Sequence, residues 1–173
     1  DIKLFDLYNL VFTSETARLA TVGKISTQGH MQALQSHFNL NEEELQAFIQ
    51  QFWGGDQLDF ALINTLRSLR PRYKTALLSN AWDNMHGMVI DTWKIADAFD
   101  ELVISSEVGL AKPDPRIYHL ALQRLDVTPQ QAIFVDDFME NIEAARAESL
   151  HTVHFRNFDQ VKMELKRLLD GTV

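Results

Sequence analysis

AIFVDDFMENIEAAR, residues Ala132–Arg146, decides the fold. Its apolar opening, Ala132-Ile133-Phe134-Val135, is short and partly β-branched, which predicts a buried strand. Asp136 and Asp137 close that run, and Asn141 follows four residues after the second. Acidic groups at the carboxyl end of a buried strand lie where open α/β sheets bind ligands. Two carboxylates about 5 Å apart repel by roughly 3 kcal/mol at an effective dielectric near 20. Protonation, a basic partner or a cation relieves that cost. Taken alone, the pair also suits a solvated loop in which Asp137 caps the next helix.

Working outward, strand and helix patterns alternate. Strands are expected at Ile2–Asp6, Tyr73–Leu78, Glu101–Ile104, 132–136 and Thr152–Phe155, and helices at Asp83–Ile95, Arg116–Leu125, Glu140–Ala147 and Phe158–Leu169. Such alternation implies a parallel sheet covered on both faces, an α/β Rossmann-like three-layer sandwich. Between the first and second strands the chain has only helical periodicity. Ser14 starts one helix, and Met31, Leu34 and Phe38 mark a second. Asn41 with Glu44 forms a capping-box pattern for a third, whose first turn holds Glu42, Glu43 and Glu44. Leu58–Leu69 makes the last before Pro71. The expected division is a core from residues 1–13 and 71–173 with a helical insertion over 14–70.

Composition narrows the function. A chain of 173 residues suffices for one α/β core with a modest insertion. Net charge is -8 with no long Lys/Arg run, which argues against a nucleic-acid partner. No apolar segment approaches the ~18 residues of a bilayer span, and no signal peptide is visible. The absence of cysteine removes disulfides and thiolate chemistry and is consistent with a cytoplasmic location. The chain opens on Asp1 rather than Met, which points to a trimmed start. The six histidines share no ligand spacing; His30 and His37 read as surface groups of the helical segment.

Parallel strands would bring Asp6, Ser79 with Asn80, Lys112, and Asp136 with Asp137 to one edge. Singly, each has an ordinary explanation: a turn residue, a helix cap, a solvated lysine in a rigid Lys-Pro-Asp-Pro loop. Together they suit phosphoryl transfer. A carboxylate nucleophile forms an aspartyl-phosphate and divides a hard hydrolysis into two steps. Mg2+ prefers carboxylates and a backbone carbonyl, and neutralises phosphate oxygens. Ser79, Asn80 and the following helix N-terminus can donate to those oxygens. Lys112 supplies a compact charge for phosphate and for pairing with Asp6.

LFDLYNLVF (Leu4–Phe12), LLSN (Leu77–Asn80), GLAKPDPRIY (Gly109–Tyr118) and FVDDFMEN (Phe134–Asn141) resemble the motifs of the haloacid dehalogenase-like (HAD) hydrolases. The likeness is to subfamily I, whose members carry a helical cap, and within it to the sugar-phosphate phosphatases. It implies a Mg2+-dependent phosphatase of small phosphorylated metabolites with Asp6 as nucleophile. Ser79 and Asn80 would bind phosphate, and Lys112 would bridge it to the nucleophile. Asp6, the carbonyl of Tyr8, Asp136 and Asp137 would surround the metal, with Asn141 in support. Residues 14–70 would be the cap, one or two helices shorter than usual.

In the usual first motif an acid–base Asp stands where this chain has Tyr8. A phenol of pKa near 10 donates a hydrogen bond but is a poor base at neutral pH. Losing general acid–base help costs roughly 10²–10⁴ in rate. Asp-x-Tyr also resembles the true 2-haloacid dehalogenases of the superfamily, which work without metal. A third alternative is a catalytically impaired binding protein. The Asp136-Asp137 pair favours the phosphatase, because it would repel an anionic haloacid in a metal-free site.

Overall fold

The computed structural model describes residues 4–55 and 57–171, with side chains from Leu7 onward. Five helices come first: α1 (Leu4–Phe12), α2 (Glu15–Thr21), α3 (Thr27–Phe38), α4 (Glu42–Trp53) and α5 (Phe60–Leu69). Strand β1 (Ala76–Ser79) follows, then a single turn α6 (Met85–Gly87), β2 (Glu101–Ile104) and a short α7 (Ser105–Val108). The rest is α8 (Pro115–Leu125), β3 (Ile133–Asp136), α9 (Met139–Ala147), β4 (His151–His154) and α10 (Phe158–Leu169).

The architecture is α/β and Rossmann-like, with every described strand pairing in parallel. β1 pairs with β2 from Ala76↔Glu101 to Ser79↔Ile104. β3 pairs with β4 from Ile133↔His151 to Asp136↔His154. One core joins the two pairs: Val103 of β2 and Phe134 of β3 pack with Ile117 and Tyr118 of α8 and Ile142 and Ala145 of α9. Among the described residues, four strands in two pairs stand where five in one sheet were expected.

The difference lies at the amino end. The first residues of the expected Ile2–Asp6 strand and the Asp6 side chain are outside the described residues, and from Leu4 the backbone is helical. A run rich in Leu, Phe and Val suits a strand or a helix, and periodicity over so few residues does not separate them. Here helix spacing wins, because Leu7, Leu10 and Val11 then share a face. They pack on Met31, Leu34 and Leu45 of α3 and α4. Burial against those helices supplies the stabilisation that a short isolated helix lacks.

Local signals fared better. Ser14 caps α2 by accepting from the Ala17 amide at 3.2 Å. Asn41 and Glu44 form the reciprocal capping box, at 3.0 and 2.8 Å. The Asp83–Ile95 helix is replaced by α6 and a π-helical turn, Met88–Thr92. The wider turn puts both Val89 and Ile95 into a core with Ile63 and Ala98. No described helix is long and apolar enough to cross a membrane.

Candidate active site

β1 ends at Ser79, and Asn80 follows on the exposed side of the strand end. The Asn80 side chain is locked to the backbone of Lys112 in both directions. Its Nδ2 donates to the Lys112 carbonyl and its Oδ1 accepts from the Lys112 amide, each at 2.8 Å. The lysine loop is held at its other end by Asp114, which caps α8 by accepting from the Arg116 amide at 3.0 Å. The Arg116 guanidinium bonded to Asp114 pulls its carboxyl pKa down to about 2. Pro115 then opens the helix, where its missing N–H is no loss.

From that loop Lys112 Nζ reaches Asp136 Oδ2 at 2.6 Å. The side chains of Lys112 and Asp136 are only 10% and 5% exposed. Asp136 Oδ1 accepts from the Phe138 amide and from Asn141 Nδ2, both at 2.9 Å. Behind them the buried Tyr118 hydroxyl donates to the Asn141 carbonyl at 3.0 Å. Burial, with the nearby Asp136 and Glu140 charges, raises the Tyr118 pKa to about 12, so it stays a neutral donor. Both oxygens of Asp136 are therefore satisfied within the protein. Phe134 adds its ring face, 5.5 Å from Lys112 Nζ.

Asp137 differs from its neighbour. It is exposed, and its carboxylate has no partner among the described residues; only its carbonyl is used, accepting from His154 Nε2 at 3.0 Å. The repulsion expected of the acid pair is relieved by Lys112, which pairs with Asp136. The Ser79 hydroxyl, half-buried, is likewise without a hydrogen-bond partner among the described residues.

These bonds link Asn80, Lys112, Asp136 and Asn141 at the carboxyl ends of β1 and β3, where Ser79 precedes Asn80 and Asp137 follows Asp136 in the chain. They do not bring Tyr8 to a strand end. Tyr8 lies in α1, with its ring 4.9 Å from Phe12. Within a helix its carbonyl is directed at the amide four residues on, rather than at a ligand. Lys112 is held by Asp136, and its expected pairing with Asp6 lies outside the described side chains.

A donor set for Mg2+ is present in part. Asp137 offers a free hard-oxygen ligand, whereas Asp136 is already engaged by three donors. Among the described residues no group of three or more His, Cys, Asp or Glu gathers around a common point. Mg2+ is often bound by one or two carboxylates, with substrate phosphate and water completing the octahedron. Asp137 fits that pattern.

A family model for haloacid dehalogenase-like hydrolases matches residues 4–148. The chain belongs to that family. As a HAD-like hydrolase it is 28% identical over 173 residues to sesquiterpene phosphatase astK of Aspergillus oryzae, covering 97% of this chain and 86% of that one. It is 31% identical over 99 residues to (S)-2-haloacid dehalogenase 1 of a Pseudomonas species, covering 57% and 44%. Acyl-CoA dehydrogenase family member 10 of Mus musculus is 38% identical over 98 residues, 56% of this chain. That match spans only 9% of the mouse protein, so the chain is a small part of the length of some relatives. Two solved HAD structures share the fold. A predicted HAD-like hydrolase from Porphyromonas gingivalis has TM-score 0.79 at 19% identity, over 95% of this chain and 83% of that one. A Bacteroides thetaiotaomicron enzyme, in complex with magnesium and inorganic phosphate, has TM-score 0.68 at 22% identity, over 80% and 73%.

Three further residues shape the surroundings of this polar cluster without having stood out in the sequence. Buried Ser105, just after β2, accepts from the Ala81 amide at 2.9 Å and donates to the Ala81 carbonyl at 3.1 Å. It thereby fixes the loop beyond Asn80. In that loop Trp82 packs its ring 6.2 Å from Phe12, 6.0 Å from Trp53 and 4.9 Å from His30. Gly23, at φ 69, lies so close to the Ser106 carbonyl that an added Cβ would sit 2.0 Å from its oxygen. His30 is fully buried, contrary to its surface assignment, whereas His37 is exposed.

Proposed function

We propose that this HAD-like hydrolase is a Mg2+-dependent phosphatase of small phosphorylated metabolites, with Asp6 as nucleophile. The observation that carries the reading is the Asn80–Lys112–Asp136 linkage, beside an exposed, unpartnered Asp137. Among the described residues it sets one cation and several donors beside the free carboxylate of Asp137, an arrangement suited to a phosphate dianion with a hard metal. Bound Mg2+ would supply charge neutralisation at the phosphate oxygens, with Asp137 as its protein ligand and Asp136 and Asn141 behind it. Ser79 and Asn80 would orient the phosphate, and Lys112 would stabilise charge as it builds on the transferring group. The division into a core of residues 1–13 and 71–173 and a cap over 14–70 belongs to the same proposal, with α1 resting on the cap. The astK relative supports phosphatase chemistry, and the Bacteroides complex supports magnesium and phosphate.

Tyr8 and the likeness to a 2-haloacid dehalogenase favour a second reading, metal-independent dehalogenation. Phosphate and halide release, each measured with and without chelator, separate the two. Chelator-sensitive phosphate release supports the phosphatase, and chelator-insensitive halide release replaces it. Mg2+ and phosphate binding without any turnover would instead indicate an impaired binding protein.

A further inference from the structure

Apolar residues follow the polar cluster closely in the chain after both β1 and β3. On the β1 side, Trp82 stands two residues beyond Asn80, so their Cα atoms are at most about 7.6 Å apart. Its ring stacks on Phe12, which is 39% exposed, and Phe12 in turn touches Tyr8, 43% exposed. On the β3 side, Phe138 and Met139 follow Asp137 directly and are 56% and 46% exposed. The Phe138 amide is itself bonded to Asp136. Trp82 and Phe138 are therefore tied by short covalent paths to the residues that would hold the phosphate, and Phe12 is joined to them by its ring contact with Trp82.

Exposed Tyr, Phe and Met side chains are not what a strongly hydrated substrate body selects. Sugar hydroxyls call for hydrogen-bond donors and acceptors, because each one left unpaired in a site is costly. Rings and a thioether reward burial of hydrocarbon instead. We infer that this site takes phosphate monoesters whose alcohol portion is apolar, an alkyl, isoprenoid or aryl body lying against Phe12, Trp82 and Phe138. This inference rests on the phosphatase reading for its phosphate end and adds the class of the other end.

The test compares octyl phosphate with ethyl phosphate in the presence of Mg2+, for the intact chain and for Phe12→Ser and Phe138→Ser. A fully buried methylene changes affinity by about fourfold. Partial burial of the longer chain then predicts a kcat/KM ratio above about 10 in favour of octyl phosphate, falling toward 1 in the variants. A ratio near 1 in the unaltered protein overturns the inference while leaving the phosphatase intact. A high ratio unchanged in both variants overturns the assignment to these residues. If neither ester is hydrolysed, the phosphatase reading fails separately, and calorimetry decides the apolar site. Octyl phosphate binding more tightly than inorganic phosphate, with the difference lost in the variants, sustains it; equal binding overturns it. Circular dichroism confirms that each variant is folded.

Discussion

Lys112 and Asp136 form a buried, hydrogen-bonded ion pair, one member from the loop before α8 and the other from the end of β3. Removing one partner strands the other charge in a desolvated place, which costs about 3–5 kcal/mol in comparable cases. Lys112→Ala is therefore expected to lose about 3 kcal/mol in denaturant unfolding, and a loss below about 1 kcal/mol would show that the pair is solvated. The same variant should abolish phosphate release, since it removes the cation of the site. Tyr8 makes a separate prediction. If the absence of an acid at this position limits turnover on esters with poor leaving groups, Tyr8→Asp should raise kcat on an alkyl phosphate by roughly 10²-fold. Acetyl phosphate, with its better leaving group, should respond less. An unchanged rate on the alkyl ester would dismiss the idea.

At the scale of elements, what was legible in the sequence was local. The strands around 101–104 and 133–136 show as short apolar runs, and the Ser14 and Asn41 caps are written within three or four residues. The α1 segment was not legible, because its apolar residues suit either period and the decision came from α3 and α4, distant in sequence. The partner of Lys112 was equally hidden, since nothing near it in the chain names Asp136. The roles of Ser105 and Gly23 also arise only from contacts between remote segments.

His30 shows the consequence of such burial. Its Nε2 lies 2.9 Å from the Val11 carbonyl and its Nδ1 2.9 Å from the Thr16 hydroxyl, joining α1, α2 and α3. Burial lowers its pKa despite the opposing hydrogen bond to Val11. A group whose folded pKa is depressed contributes stability above its unfolded pKa, here 6.5, and loses it as pH falls toward the folded value. Unfolding free energy should thus decline between pH 7 and 5.5 by up to roughly 1.4 kcal/mol per pH unit. His30→Gln should flatten that slope; an identical slope in the variant would assign it to other groups. Asn41→Ala should cost about 1 kcal/mol at neutral pH through loss of the capping box. Gly23→Ala should cost more, because its backbone conformation and the Ser106 carbonyl both oppose a Cβ.

Across the whole molecule, two parallel strand pairs share a core, and their carboxyl ends share an edge linked by Asn80, Lys112 and Asp136. The helical segment is fastened to that edge through Trp82, through Gly23 against Ser106, and through Thr27, whose amide donates to Asp83 Oδ1 at 3.0 Å. Such fastening ties the position of the aromatic residues to the polar cluster. The most direct measurement is phosphate release from a panel of phosphate monoesters, with and without Mg2+, by this chain and by Asp6→Asn. Release that needs both Mg2+ and Asp6 is the predicted result. Release that persists in Asp6→Asn or in excess chelator would contradict it.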